Sequence, residues 1–335
     1  MRAYELAGFG RQRLRCVERP DPPCGHREVR VKIRAVSLNY RDLLVAEGVY
    51  NPRQLLPLIP CSDAAGEVVE VGLAVRRVHV GDRVCPMFCQ GWIAGGPDRE
   101  RLRGTLGSPA DGVLADQIVL PEEGVARFPE HLSDAEAATL PCAGLTAWSA
   151  LVSLARLAPG DRILTLGTGG VSIFALQFGR VLGAEVAITS SDDDKLERAR
   201  SLGARFTVNY RQEPQWGKAV REWTGGSGVD LVVEVGGAGT LEQSLRAVRI
   251  GGQVCLIGVL TGSRQEIDIL PILMGNVCVQ GVLVGSRDRF ERMCRAIERH
   301  GLTPVVHRIF SFEEAPAAFE YLAGGGHFGK VCIEV

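Results

Sequence analysis

Short apolar runs, broken by glycine, proline and acidic turns, divide the chain of 335 residues into differently patterned parts. Over the first third the runs are strand-like, at 29–36, 66–71, 83–86 and 112–120, with turns such as Gly81-Asp82 between them. That pattern predicts a partly closed antiparallel β-barrel. After Ser133, helical stretches alternate with apolar strand-like runs at 163–166, 185–189, 231–235, 254–259 and 278–284. Alternation of this kind predicts a doubly wound α/β sheet. From about residue 288 a helix, an extended segment and a closing strand at 330–335 are expected to fold back onto the first part. The expected division is therefore 1–132 for the barrel, 133–284 for the doubly wound part and 285–335 for the returning tail.

One junction in this pattern carries chemistry. The apolar run at 163–166 ends in Gly167, Thr168, Gly169, Gly170 and Val171, and a helical stretch opens at Ser172. Glycines at a strand-to-helix turn let the backbone approach a pyrophosphate, whose charge then rests on free amides at the positive end of the helix. A purely structural glycine turn is the alternative, and the surrounding β-α-β order argues against it. About twenty residues beyond such glycines, an NAD site places a carboxylate to hold the ribose hydroxyls. This chain has Ser190 there, followed by Ser191 and Lys195. Hydroxyls and a cation suit a 2′-phosphate, so the expected cofactor is NADP. Asp192, Asp193 and Asp194 lie at the start of the next helix, where acids cap amides and offset the dipole.

Composition narrows the rest. Lysine occurs only at positions 32, 195, 218 and 330 in an otherwise arginine-based set of cations, which draws attention to Lys195. A net charge of −1 and the lack of a basic run interleaved with aromatics favour neither nucleic acid nor an anionic membrane surface as partner. No signal-type apolar core opens the chain, and no run reaches the roughly eighteen apolar residues of a membrane span, so a cytoplasmic protein is expected. The ten cysteines form no CxxC pair. Several, Cys255 and Cys278 among them, fall in apolar runs and read as small core residues.

The landmarks SLNYRD (37–42), IPCSDAAG (59–66), VHVGDR (78–83), LPCAGLTAW (140–148), the turn 167–172, Gly203-Ala204 through Asn209-Tyr210, and FGK (328–330) resemble, in this order, the medium-chain dehydrogenase/reductase superfamily. The resemblance spans nearly the whole chain. It implies a GroES-like β-barrel catalytic domain, a Rossmann domain and an active-site cleft between them. It also implies a homodimer joined through the edge strand at 278–284. Ser172 departs from the third glycine usual there, and is small enough to replace it. By position the resemblance places Thr146 and Val259 near the nicotinamide, Gly236 near the adenosine, Tyr210 at the 2′-phosphate and Lys330 among the cofactor contacts.

The same resemblance raises the question of a metal. The zinc members bind through a Cys, a His and a further Cys, and the matching positions here are Asn39, Ser62 and Cys142. A catalytic zinc needs three protein ligands, so no metal is expected. A Gly- and Pro-rich insert at 90–112, with only Cys85 and Cys89 nearby, stands in place of the structural zinc lobe. Trp92 in that insert is read either as a cover or as a packing residue. Without a Lewis acid the zinc-free branch of quinone and enoyl reductases is the one implied: hydride passes from NADPH to a conjugated small-molecule acceptor. Tyr40 is the candidate donor, because a free phenol keeps its proton at neutral pH and can serve a developing enolate. A hydrogen-bonded core tyrosine is the alternative. Asn39 is a candidate for orienting ribose or substrate oxygen, and Asp42 for fixing the loop. Reversible alcohol and carbonyl interconversion, and a noncatalytic NADPH-binding protein, are the rival readings.

Overall fold

The computed structural model describes residues 1–335, which group into two units, residues 1–145 with 284–335 and residues 146–283. In the first unit β1 (Arg2–Leu6) pairs antiparallel with β2 (Leu14–Glu18). The larger sheet is built around β3 (Glu28–Ser37), whose Val29, Val31, Ile33 and Ala35 alternate inward and are fully buried. β4 (Asp63–Val71), β5 (Arg83–Pro86) and β7 (Val125–Arg127) extend it on one side, and β6 (Gln117–Pro121) adds to β3. The end of the chain supplies β14 (Val306–Ser311) and β15 (Lys330–Glu334), which give the order β14-β15-β3-β4-β5-β7. The tail thus returns to the first part, as expected. Phe310, Phe319, Val331 and Ile333 complete the core begun by Val29, Ile33, Leu58 and Val84.

Three expectations change here. The run 112–120 is a strand only over Gln117–Pro121. Before it, Gly112 and Val113 donate to the carbonyls of Ile59 and Cys61, at 2.6 and 3.0 Å. A Cβ on Gly112 would stand 2.0 Å from the Cys61 oxygen, so the backbone approach replaces strand pairing. The division between units falls at Leu145 and Thr146 rather than at 132 and 133, because helical turns continue from Asp134 through Leu154. This 21-residue stretch is also long and apolar enough to cross a membrane, which the sequence count had not found, but most of it is buried inside the protein.

In the second unit β8 (Arg162–Thr165), β9 (Glu185–Ser190), β10 (Phe206–Asn209), β11 (Val229–Glu234), β12 (Val248–Leu256) and β13 (Cys278–Gly281) form one parallel sheet. Their order is β10-β9-β8-β11-β12-β13. Strands 8 to 10 progress to one side and strands 11 to 13 to the other, so the order reverses between β8 and β11. Ligands of such sheets bind beyond the carboxyl ends of the strands at this reversal. Leu164, Val232 and Val254 are fully buried, as a sheet covered on both faces requires. The edge strand β13 differs, since all four of its residues, Cys278 included, are exposed.

Candidate active site

The glycine turn follows β8 at the reversal. Gly167 adopts φ +69°, a left-handed conformation that a side chain would strain, and its amide donates to Thr189 Oγ1 at 3.2 Å. Gly169 is the N-cap of the helix Gly170–Val181. A Cβ at Gly167 or Gly169 would meet nothing within 4 Å, so the turn presents bare backbone to open space. The first amides of the helix, at Gly170, Val171 and Ser172, have no preceding turn to bond to. This surface fits a pyrophosphate. Thr168 is buried within the turn. Ser172, in place of the third glycine, is 1% exposed and donates its hydroxyl to the Leu166 carbonyl at 2.6 Å, so it anchors the helix to the strand instead of obstructing it.

At the carboxyl end of β9 the backbone of Tyr210 donates to the Ser190 carbonyl at 3.0 Å, with the Tyr210 ring 42% exposed beside it. Ser190 and Tyr210 are therefore brought together, and Ser191 and Lys195 follow Ser190 in the turn and the helix after β9. Burial lowers the pKa of Lys195, while Asp192 works in the other direction. Asp192 is the N-cap of the helix Asp193–Ser201 and accepts from the Lys195 amide at 3.0 Å. Asp193 accepts from Asn209 and Gln212, at 2.8 and 2.9 Å. Two of the three acids thus have structural work.

Beyond β11, the run ends in a carboxylate that sequence reasoning passed over. Glu234 is fully buried. It accepts from the amides of Gly236 and Gly237 at 2.7 and 3.1 Å, from Thr240 Oγ1 at 2.6 Å and from Ser244 Oγ. These bonds shape the turn that holds Gly236. Thr261 donates to the Gly236 carbonyl through both its amide, at 2.7 Å, and its hydroxyl, at 3.0 Å, which ties on the loop carrying the 42% exposed Val259. A lone acid closing an apolar strand run was the signal available for Glu234. Thr146 is buried, 3% exposed, in the helical stretch that opens this unit.

The other predicted residues sit in the first unit, around the turn from β3 into the helix Tyr40–Ala46. Asp42 is buried and accepts from the Asn39 amide at 2.7 Å, so it fixes the helix start, as expected of it. Burial raises its pKa to about 6, against the pull of Arg41, the Asn39 amide and Lys330. Arg41 is held between the rings of Tyr50 and Phe88, each 4.8 Å from its guanidinium carbon, and donates to the carbonyls of Leu106 and Ser108. Tyr40 is 43% exposed, which excludes the core-tyrosine reading. Trp92 is 2% exposed and bonded to the Gly95 carbonyl, so it packs and does not cover.

Lys330 lies elsewhere than its anticipated role suggests. It is 4% exposed, and its ammonium donates to the Leu38 carbonyl at 2.5 Å and to Asn39 Oδ1 at 2.6 Å. Asp63, also buried, accepts from Ser62 Oγ at 2.6 Å and from the Cys142 amide at 2.8 Å. Its pKa is raised by burial, and Lys330, Ser62 and Asn39 oppose that rise. Asn39, Ser62 and Cys142, the positions matched to zinc ligands, therefore all touch one buried network. This donor set does not fit zinc. Asn39 Oδ1 is taken by an ammonium, Ser62 gives its proton to Asp63, and burial with Asp63 nearby pushes the Cys142 thiol up, away from the thiolate a metal needs. No three His, Cys, Asp or Glu side chains converge anywhere in the chain.

Comparison with known proteins gives the family of both units. A family model described as zinc-binding dehydrogenase matches residues 170–299, and one described as alcohol dehydrogenase GroES-like domain matches residues 25–130. A zinc-type alcohol dehydrogenase-like protein of Schizosaccharomyces pombe is 38% identical over 99% of this chain and 97% of its own length. The structure of a putative alcohol dehydrogenase from Sinorhizobium meliloti superposes with a TM-score of 0.93 at 42% identity, covering 100% of this chain and 98% of that one. A structure described as an NAD-dependent alcohol dehydrogenase superposes with a TM-score of 0.91 at 34% identity, covering 100% of both chains.

Proposed function

The chain belongs to the medium-chain dehydrogenase/reductase superfamily as an alcohol dehydrogenase-like, pyridine-nucleotide-dependent oxidoreductase, and from that premise we propose that it reduces conjugated carbonyl compounds with NADPH and without zinc. The observation that carries this reading is the buried network of Asn39, Ser62, Asp63, Cys142 and Lys330, which occupies the ligand positions with groups unsuited to zinc. Oxidation of an unactivated alcohol gains most from a Lewis acid. A quinone or an α,β-unsaturated carbonyl needs less, because its oxygen receives charge spread through conjugation.

When bound, NADPH supplies a hydride from C4 of its nicotinamide. The turn Gly167 to Val171 and the first amides of its helix hold the pyrophosphate. Ser190, Ser191, Lys195 and Tyr210 receive the 2′-phosphate. The support for NADPH is the buried Ser190 in place of a carboxylate, together with the structural employment of Asp192 and Asp193. Gly236, Val259 and Thr146 line the adenosine and nicotinamide. In the first unit Asn39 offers an amide to the acceptor oxygen, Tyr40 delivers a proton to the enolate, and Asp42 holds the helix that presents both.

The test is NADPH oxidation followed by absorbance against quinones, enals, enones and simple aldehydes, with NADH in parallel and metal analysis of the same sample. Turnover of conjugated acceptors by metal-free protein supports the proposal. Turnover confined to simple carbonyls with bound zinc would overturn it in favour of alcohol and carbonyl interconversion, the reading that the relatives' names favour. Tight NADPH binding with no turnover would point to a noncatalytic protein.

A further inference from the structure

The acids after β9 pose a question of sign. A carboxylate beside a 2′-phosphate repels it, yet Asp193 opens the helix Asp193–Ser201 just beyond Ser190, at the strand end where that phosphate would be read. The contacts of Asp193 give a different account. Its Oδ1 accepts from Asn209 Nδ2 at 2.8 Å and its Oδ2 from Gln212 Nε2 at 2.9 Å, so both oxygens hold the stretch that follows β10. Asn209 is committed at its other end too, since its Oδ1 accepts from the Arg211 amide at 3.0 Å. The Asn209 carbonyl takes the amides of Gln212 and Glu213, at 3.1 and 2.8 Å, which closes a turn. Tyr210 sits inside that turn, its amide on the Ser190 carbonyl and its side chain exposed.

Strand order puts this turn next in line after Ser190. β8, β9 and β10 are parallel neighbours, and Asn209 stands opposite Ser190. Adjacent strands lie about 5 Å apart, so the edge runs from the glycine turn after β8, through Ser190, to the turn at 209–212. On the NADPH reading, a ribose leading away from the pyrophosphate along this edge meets Ser190 and then Tyr210.

We propose that Asp193 is a positioning residue for recognition of the 2′-phosphate: it holds the turn 209–212, and with it Tyr210, against the start of the helix Asp193–Ser201. An acid then serves NADPH selectivity instead of opposing it. Two amide donors and a place in the first helical turn offset its charge locally. A binding surface in place for only about a tenth of the time binds about tenfold more weakly, which is how a residue with no contact to the phosphate alters affinity. The inference rests on the NADPH reading for the identity of the ligand, and on the structure alone for the clamp between Asp193 and the turn.

The experiment is calorimetric titration of the full chain with adenosine 2′,5′-bisphosphate and with 5′-AMP, two ligands that differ only by the 2′-phosphate. Wild type, Asp193→Ala, Asp193→Asn and Asn209→Ala are compared. Asp193→Ala is expected to weaken the bisphosphate about five- to tenfold and 5′-AMP by less than about twofold. Asp193→Asn keeps an oxygen for Asn209 Nδ2 and should bind the bisphosphate within about twofold of wild type. Asn209→Ala breaks the clamp from the turn while the acid stays, and should repeat the selective loss; it also stands in for Asp193→Ala should that variant fail to fold.

Unchanged or tighter bisphosphate binding by Asp193→Ala would overturn the proposal, because an acid acting through its charge alone only repels the phosphate. Equal losses for both ligands would sink it as well, by showing general damage to the nucleotide site. A wild type that binds the bisphosphate no better than 5′-AMP would remove the NADPH reading and this inference together, whereas failure of the inference alone leaves the wild-type preference standing.

Discussion

In the proposed reaction Tyr40 and Asn39 are neighbours with separable duties. Tyr40→Phe removes a proton donor and leaves Asn39 and its lysine in place, so kcat should fall about 10²-fold or more on a conjugated acceptor with NADPH affinity unchanged. Stopped-flow with a deuterated cofactor would show whether the hydride step itself slows. Asp42 makes a different prediction, about stability. Its pKa in the folded protein, about 6, exceeds the roughly 3.9 of an unfolded aspartate, so between these values the native state binds more protons. Its contribution is therefore favourable at low pH and is lost as pH rises from about 4 to about 6. Asp42→Asn keeps an acceptor for the Asn39 amide. Relative to wild type it should gain melting temperature above pH 6 and lose that advantage near pH 4, equivalent to a few kcal/mol at most. A constant difference across that range, in thermal melts, would show that Asp42 does not titrate there. Of these residues, the sequence made Asn39, Tyr40 and Asp42 visible as one motif. It could not show that Lys330 reaches them, because a lysine after Phe-Gly reads equally as a cofactor contact until β15 is seen beside β3.

Among the elements, the two turns at the ends of β8 and β11 solve similar problems with different means. The first relies on glycine: Gly167→Ala would force a side chain to φ +69° and should weaken NADPH binding by tenfold or more in a fluorescence titration. Ser172→Gly restores the more usual residue at the cost of the bond to the Leu166 carbonyl. It should bind NADPH within about threefold of wild type and melt a few degrees lower. The turn after β11 relies on a carboxylate. Glu234→Ala would strand four donors, at Gly236, Gly237, Thr240 and Ser244, and should lower stability by about 3 to 5 kcal/mol in a urea titration. Glycine spacing made the first turn legible, since its chemistry is written in residue type. The second depends on which donors converge after folding, and neither periodicity nor motif records that. The same reason explains the misread stretch at 112–116: its apolar alternation suits a strand, but the close approach of Gly112 to Cys61 gives its amides other partners.

For the whole molecule, the proposed homodimer can be tested at β13. This strand bonds only to β12, its four residues are exposed, and Leu270, Leu273 and Met274 in the short helix before it are more than half exposed. An uncovered edge with apolar neighbours invites pairing with another strand. A second copy would satisfy it, and sedimentation of Val279→Lys should then show monomer where wild type shows dimer; a monomeric wild type would remove the proposal. The sequence marked this run as apolar but could not tell burial within one chain from coverage by another. A different consequence follows from β15, which lies between β14 and β3. The lysine that grips Asn39 is synthesised 291 residues after it. During translation the end of β3 from Ala35 to Ser37 must therefore wait unpaired on the side that β15 will take, while the parallel sheet of residues 146–283 has all its strands in hand. Contacts of such long separation form late and leave earlier segments open to aggregation. The order of maturation on the ribosome runs opposite to the order of synthesis, and the residues on which the proposed chemistry depends are the last to be set.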